Sequence, residues 1–256
     1  MIKEHFFTDV QYLIMLIIAH ICADFIFQTK EMADGKQFGN SKMFWHIVIV
    51  FFSAVILTLS WWIPLIITVI HYAIDSLKKS ANDKWTTHPF RIFILDQTAH
   101  LVVIFISWSI YFKKLSFNQD YIERILKHTD YFIIALGYAI VIWPAAYVIR
   151  KGVDYLSVKS GITPSINPAV PNTDGSNNEN VYRGGMFIGQ FERIIILTFV
   201  LLGQYEAIGF LITGKSIIRF KESDKLQTEY VLFGTMLSYA IAIVIGVMVK
   251  KLSGIA

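Results

Sequence analysis

The chain has 256 residues, of which 55% are hydrophobic and only 16% charged. That apolar share, in runs the length of membrane spans, excludes an ordinary soluble domain and indicates a polytopic helical membrane protein. The net charge of +4 reflects Lys and Arg at membrane edges, so nucleic acid is not an expected partner, and the single cysteine, Cys22, excludes an intrachain disulfide.

In chain order the expected spans are 10–28, 43–61, 62–78, 90–112, 131–150, 184–203, 204–219 and 228–249, an all-α transmembrane bundle of seven or eight segments. The first run holds His20 and Asp24 and ends in Phe27-Gln28-Thr29-Lys30, not in a small-residue cleavage site, so it is expected to stay in the mature protein. Trp61, Trp62 and Pro64 alone separate the second and third runs, which predicts a tight hairpin with interfacial tryptophans and a helix-starting proline. Residues 156–183 hold Pro164, Pro168, Pro171 and the polar run Asn172–Asn178. They read as a mobile linker between a front half, 1–155, and a back half, 184–256. The sixth and seventh runs meet at Gly203-Gln204-Tyr205-Glu206 and are two short spans, a re-entrant pair or one broken helix. Lys and Arg are more numerous in the connections that lie inside when the N-terminus is outside, although the connection after the fourth span runs the other way.

Seven ionisable residues sit where hydrocarbon tolerates them badly: His20, Asp24, His46, His71, Asp75, Asp96 and His100. Three pairs, His20/Asp24, His71/Asp75 and Asp96/His100, are spaced i,i+4, which puts both side chains on one helix face. They fall near the end of span one, the start of span two, the end of span three and the start of span four. Antiparallel spans therefore bring all seven into one leaflet, the cytoplasmic one by the charge distribution. Imidazole and carboxylate are common ligands of divalent metals, and four helices can enclose such a site. Four His and three Asp suit two ions bridged by carboxylates, or one ion with outer partners. Without cysteine ligands zinc, manganese and iron all fit, zinc foremost. Gln28 lies one further i+4 step beyond Asp24 and is placed to orient a ligand or water. The bland alternatives are a metal-free proton relay or buried His–Asp pairs that hold helices together. His5, His88 and His128 read as surface histidines.

The back half lacks histidine. Gly185 and Gly189 form a small-xxx-small pair, which most often means close helix packing. Glu192 and Arg193 are adjacent, face different ways, and each needs a partner elsewhere. Glu192 is a candidate general base beside Asp24. Arg193, Lys215 and Arg219 are candidates to hold an anionic substrate group, against the plainer readings of an ion pair and inner-surface anchors.

The stretches His20–Gln28, His71–Asp75, Asp96–His100, Ile188–Arg193, Gly209–Phe220 and Glu229–Thr235 resemble a bacterial integral membrane family catalogued as domain of unknown function 3307. That family offers no activity, so the resemblance implies the architecture and marks the motifs. A weaker likeness, in layout only, is to inner-membrane proteins labelled metal-dependent hydrolases, and it implies a bacterial inner-membrane setting.

The leading expectation is a membrane-embedded metal-dependent hydrolase acting on a lipid or lipid-linked phosphate or acyl substrate. Membrane lipid is the expected partner, and a homo-oligomer is compatible. The alternatives are a metal-ion or proton transporter using the same cluster and a membrane sensor or partner-binding protein. An intramembrane metalloprotease ranks below them, because no His-Glu-x-x-His pair is present.

Overall fold

The computed structural model describes residues 8–84, 89–112, 129–159, 176–219 and 225–255, and its described elements are all helical. His5, His88 and His128 lie outside the described residues. The chain packs as two compact units, Met1–Leu136 and Gly137–Ala256.

In the first unit α1 (Asp9–Ile21) continues into one π-helical turn, Cys22–Ile26, followed by α2 (Lys30–Gly35), α3 (Ser41–Thr58), α4 (Trp62–Lys84) and α5 (Pro89–Tyr111). Local chemistry sets the ends. Thr8 and Gln11 form a reciprocal capping box at α1, and Thr29 and Asn40 accept from Met32 and Met43 backbone amides to start α2 and α3. The α3–α4 connection is the expected tight turn: Trp61 and Trp62 stack at 3.8 Å, and Pro64 falls in the first turn of α4, where its missing N–H costs nothing.

Helix α1 packs on α3 and α5, and α4 packs on the same two, which closes a four-helix ring. Each helix turns an i,i+4 stripe inward: Tyr12, Leu16 and His20; His46, Val50 and Ala54; Ile63, Ile67, His71 and Asp75; Asp96, His100, Ile104 and Trp108, all buried. The stripes are apolar at one end of the bundle and ionisable at the other. The apolar end is a core of Tyr12, Leu16, Ala19, Ala54, Ile63, Ile67, Ile104 and Trp108, and the Trp108 indole N–H donates to the Asp9 carbonyl. The outer faces are apolar instead, with Phe52, Ile56, Ile66, Val69, Val102, Ile106 and Ile110 exposed. Polar inside and apolar outside suits a helix bundle solvated by lipid.

The second unit includes the C-terminal half of α6 (Asp130–Ile142), then α7 (Pro144–Lys159), α8 (Ser176–Leu201), α9 (Tyr205–Arg219) and α10 (Lys225–Ser253). Pro144 has no N–H and separates α6 from α7 at Trp143. Helices α7 and α8 run into both ends of the polar stretch 156–183, and residues 160–175 lie outside the described residues. The junction of the sixth and seventh runs is two helices. Gly203, at φ +72°, donates to Val200 O while Gln204 donates to Phe199 O, a Schellman stop.

Among the described residues five stretches are long and apolar enough to cross a membrane: Asp9–Ile26, Ser41–Thr58, Phe90–Tyr111, Asp130–Tyr155 and Leu232–Ser253. The expected spans 62–78, 184–203 and 204–219 are not among them, so five stretches of the described residues, where seven or eight spans were expected, meet that length and apolarity. Helix α4 turns polar at Asp75 and Lys78, yet packs between α3 and α5 in the ring. With 15 residues α9 is about 22 Å long at 1.5 Å per residue, short of a ~30 Å hydrocarbon core.

The expected glycine packing falls elsewhere. Among the described residues a Cβ at Gly185 would meet nothing within 4 Å, and one at Gly189 only the Arg193 guanidinium of its own helix. The close approaches are at Gly246, where a Cβ would lie 2.9 Å from Val200, and at Gly137, 2.6 Å from Val249.

Candidate metal centre

The structure brings all seven expected residues of the first unit together at the polar end of the four-helix ring. His20 comes from α1, Asp24 from the π turn, His46 from α3, His71 and Asp75 from α4, and Asp96 and His100 from α5. The π turn, closed by Phe27 N–H to Cys22 O at 2.9 Å, shifts the helical register at Asp24. Such single turns recur at functional sites.

Four atoms form one linked group around the two imidazoles: Asp24 Oδ1, His46 Nε2, His71 Nε2 and Asp75 Oδ2. His46 lies 3.0 Å from His71, 3.6 Å from Asp24 and 3.3 Å from Asp75, while His71 lies 3.5 Å from Asp24 and 3.7 Å from Asp75. Two ligands held at ~2.1 Å from an ion stand about 3.0 Å apart at a right angle and about 3.4 Å apart at the tetrahedral angle. The five separations bracket those values. A second group adjoins the first. His100 Nε2 lies 3.5 Å from Asp75 Oδ1 and 3.6 Å from Asp96 Oδ1. Asp75 thus turns one oxygen to each group, the disposition of a bridging carboxylate. His20 stands at the edge, with Nδ1 3.9 Å from Asp24 Oδ1 and Nε2 3.2 Å from Gln97 Oε1. The triads His20/Asp24/His71, His46/His71/Asp75 and Asp75/Asp96/His100 each bring ligand atoms close enough to hold a metal ion.

Burial makes the site demanding. His46 is fully buried, and His71, Asp75, Asp96 and His100 nearly so. Yet Asp24 Oδ1, Asp96 Oδ1 and His100 Nε2 are buried with no hydrogen-bond partner. A buried polar atom without a partner is costly, and a carboxylate oxygen more so. One of these atoms lies in the first group and two, 3.6 Å apart, in the second, so each group has donors that fit a cation and the residues present fit a metal. His46 Nδ1 also has no partner, so that ring lacks the outer acceptor which usually orients a ligating histidine.

Residues not expected from the sequence complete the cluster. Lys36 Nζ donates to Asp75 Oδ2, and Lys78 Nζ to Asp96 Oδ2 at 2.7 Å. Gln97 donates to the same Asp96 oxygen at 3.0 Å. Gln28, with its amide turned to satisfy its neighbours, donates to the Asp24 carbonyl and accepts from Lys36 Nζ. Its reach is therefore to the lysine rather than directly to a ligand atom. Lys78 carried a signal, one turn beyond Asp75 at i+3 on α4. Lys36 carried none, because only the fold returns the segment after α2 to the bundle.

Residues 12–128 match the model of a family described as Protein of unknown function (DUF3307). The DUF3307 match contains all seven cluster residues together with Lys36, Lys78 and Gln97. It bears out the resemblance read from the front motifs. The stretches at 188–193, 209–220 and 229–235 lie beyond it. No curated protein and no solved structure matches the chain.

In the second unit Glu192 is bonded by Lys215 Nζ, which also stands 5.5 Å over the Tyr239 ring. Arg193, 3% exposed, donates through Nε to Val141 O at 2.5 Å, through Nη2 to Ile142 O at 3.4 Å and through Nη1 to Ser238 Oγ at 3.2 Å. Those carbonyls lie just before Pro144, at the α6–α7 break, so the guanidinium caps a helix end. The adjacent charges do find separate partners, as their spacing required. The Arg219 side chain lies outside the described residues.

Proposed function

We propose that the first unit is a divalent-metal centre at one end of a membrane helix bundle, and that it serves a hydrolase acting on a lipid or lipid-linked phosphate or acyl substrate. The observation that carries the metal reading is the set of buried, unpartnered atoms, Asp24 Oδ1, Asp96 Oδ1 and His100 Nε2, within imidazole–carboxylate groups at ligand spacing. Zinc is the first expectation, with manganese and iron close behind, since the donors are nitrogen and oxygen. A bound ion supplies an acidified water and a Lewis acid for a phosphoryl or acyl oxygen. Asp24 would take a proton on Oδ2, the oxygen not among those that face the ion. The general-base role considered for Glu192 is not carried forward, because Lys215 engages its carboxylate. Lys78, whose side chain is 32% exposed, leads from the site toward the surface of the unit, and the apolar flanks suit an amphiphilic substrate. The distribution of Lys and Arg supports an outside N-terminus and a site on the cytoplasmic side of a bacterial inner membrane.

The test is elemental analysis of purified protein, followed by hydrolysis assays on phosphodiester, phosphomonoester and lipid-amide reporters with and without chelator. Near-stoichiometric metal that is lost in His46→Ala, with chelator-sensitive hydrolysis lost in parallel, is expected. Protein that purifies and reconstitutes without metal overturns the reading. A second reading, cation transport, is favoured by Lys36 and Lys78, because tethered ammonium groups on the carboxylates suit a site that exchanges cations. Metal uptake by proteoliposomes without any hydrolysis would install it in place of the enzyme.

A further inference from the structure

Of the two lysines at the cluster, one leaves the ligand atoms open and the other covers one. Lys78 binds Asp96 through Oδ2, while Asp96 Oδ1, the oxygen facing His100, stays without a partner. Lys78 therefore orients Asp96 from behind and is compatible with an ion in front. Lys36 binds Asp75 through Oδ2, the same oxygen that faces His46 Nε2 at 3.3 Å and His71 Nε2 at 3.7 Å. An ion among Asp24, His46, His71 and Asp75 would meet that ammonium group at ligand distance, in a buried setting where like charges repel strongly.

Charge says what the released lysine can do. An ion beside the displaced ammonium group would put two cationic groups in a buried site, which resists uncompensated charge. The loaded centre therefore favours an anionic ligand. A phosphodiester is one, and its oxygens accept from both a metal and an ammonium group. Lys36 also has an alternative acceptor at hand in the Gln28 amide oxygen, and it sits at the C-terminal end of the short helix α2, on a segment ending at Gly39 with φ +74°. A positive φ there is open to glycine at no steric cost.

We propose that Lys36 is the exchangeable cation of this centre: it occupies Asp75 Oδ2 until metal displaces it, and then receives the phosphodiester oxygen of the ligand. This rests on the metal reading above and names the substrate class that reading left broad. The metal activates the site, Lys78 holds Asp96, and Lys36 couples metal entry to recognition of the anion. Coupling of this kind is reciprocal, so metal and phosphodiester each tighten the other.

The experiment is a metal titration of the full chain in detergent, by competition with a chromogenic chelator, for the wild type and Lys36→Gln, each with and without diethyl phosphate. Four results are expected. Without the phosphate, Lys36→Gln binds metal about ten- to a hundredfold more tightly than wild type, because its internal competitor is gone. Diethyl phosphate tightens wild-type metal binding about tenfold. It leaves Lys36→Gln unchanged. Lys36→Arg, which keeps the charge, restores the wild-type pattern. Repeating the titration in phosphatidylglycerol nanodiscs separates the sources of the anion: an effect of diethyl phosphate assigns it to the diester itself, and an effect confined to the nanodiscs assigns it to the lipid headgroup. Equal or weaker metal binding by Lys36→Gln overturns the competition. A wild type indifferent to both diethyl phosphate and phosphatidylglycerol overturns the anion role while leaving the metal centre standing. Failure of every variant to bind metal removes the centre and this proposal together.

Discussion

His71 is the residue whose loss should cost most. Its Nε2 lies 3.0 Å from His46 Nε2, 3.5 Å from Asp24 Oδ1 and 3.7 Å from Asp75 Oδ2, and its ring stacks on His100 at 4.0 Å. It belongs to two of the three ligand triads. Four-ligand zinc sites bind with roughly 10–16 kcal/mol at neutral pH, so one ligand accounts for about 3–4 kcal/mol. At ~1.4 kcal/mol per decade, His71→Asn should weaken metal binding about a hundred- to a thousandfold. Asparagine keeps a polar group of moderate size in the buried position, which limits collapse of the bundle. Chelator competition gives the affinity, and circular dichroism with size-exclusion chromatography confirms that the bundle persists. The linked readout is thermal stability. Metal at a hundred times Kd should stabilise the wild type by about 2.7 kcal/mol and the variant hardly at all. A control separates ligand from support: Gln97→Leu removes hydrogen bonds to His20 and Asp96 and should cost no more than about ten- to a hundredfold. Wild-type affinity in a folded His71→Asn protein would show that the histidines are not ligands, whatever their spacing.

Three further outcomes follow from the same geometry. Metal affinity should fall as the solution is acidified from pH 8 to 5, because protons compete with the metal for its imidazole and carboxylate ligands, and it should recover on return to neutral pH; flat affinity between pH 5 and 8 argues against histidine ligation. Arg193→Met should lower stability by about 1–3 kcal/mol, by uncapping the Val141 carbonyl while Gln190 still donates to that of Ile142, and should leave metal content unchanged; equilibrium unfolding in mixed micelles measures it, and unaltered stability refutes the capping role. Gly246→Ala should cost about 1–3 kcal/mol by overpacking against Val200, whereas Gly185→Ala, facing open space on its helix, should be neutral or gain up to ~1 kcal/mol; the reverse order would mean that the small-xxx-small pattern, not the observed close approach, governs packing.

The site was legible in the sequence because depth is a one-dimensional property. His20 near the end of one run and His46 near the start of the next must share a side of the bundle if the runs are antiparallel, and i,i+4 spacing then fixes the face. The inward stripes show the same rule extended over whole helices, with Tyr12 and Leu16 preceding His20 and with Ile104 and Trp108 following His100. What spacing leaves open is anything set by a return of the chain or by a departure from regular helix. Lys36 counts in the sequence as one more cation of a membrane edge, and only the path between α2 and α3 carries it onto Asp75. The π turn at Asp24 leaves the His20–Asp24 interval unchanged in number while altering its geometry. In the back half Arg193 was visible, but nothing in its place along the chain joins it to the helix break at Pro144 that its guanidinium caps. The Gly185/Gly189 pattern pointed to a contact that the chain makes instead at Gly246, because a small residue permits close approach without choosing the partner. The same reasoning explains why function is harder to read than the site. Helical periodicity and bilayer depth suffice to gather imidazoles and carboxylates, whereas the two lysines that reach Asp75 and Asp96, on which the proposed catalysis and the alternative exchange differ, are brought there by the fold.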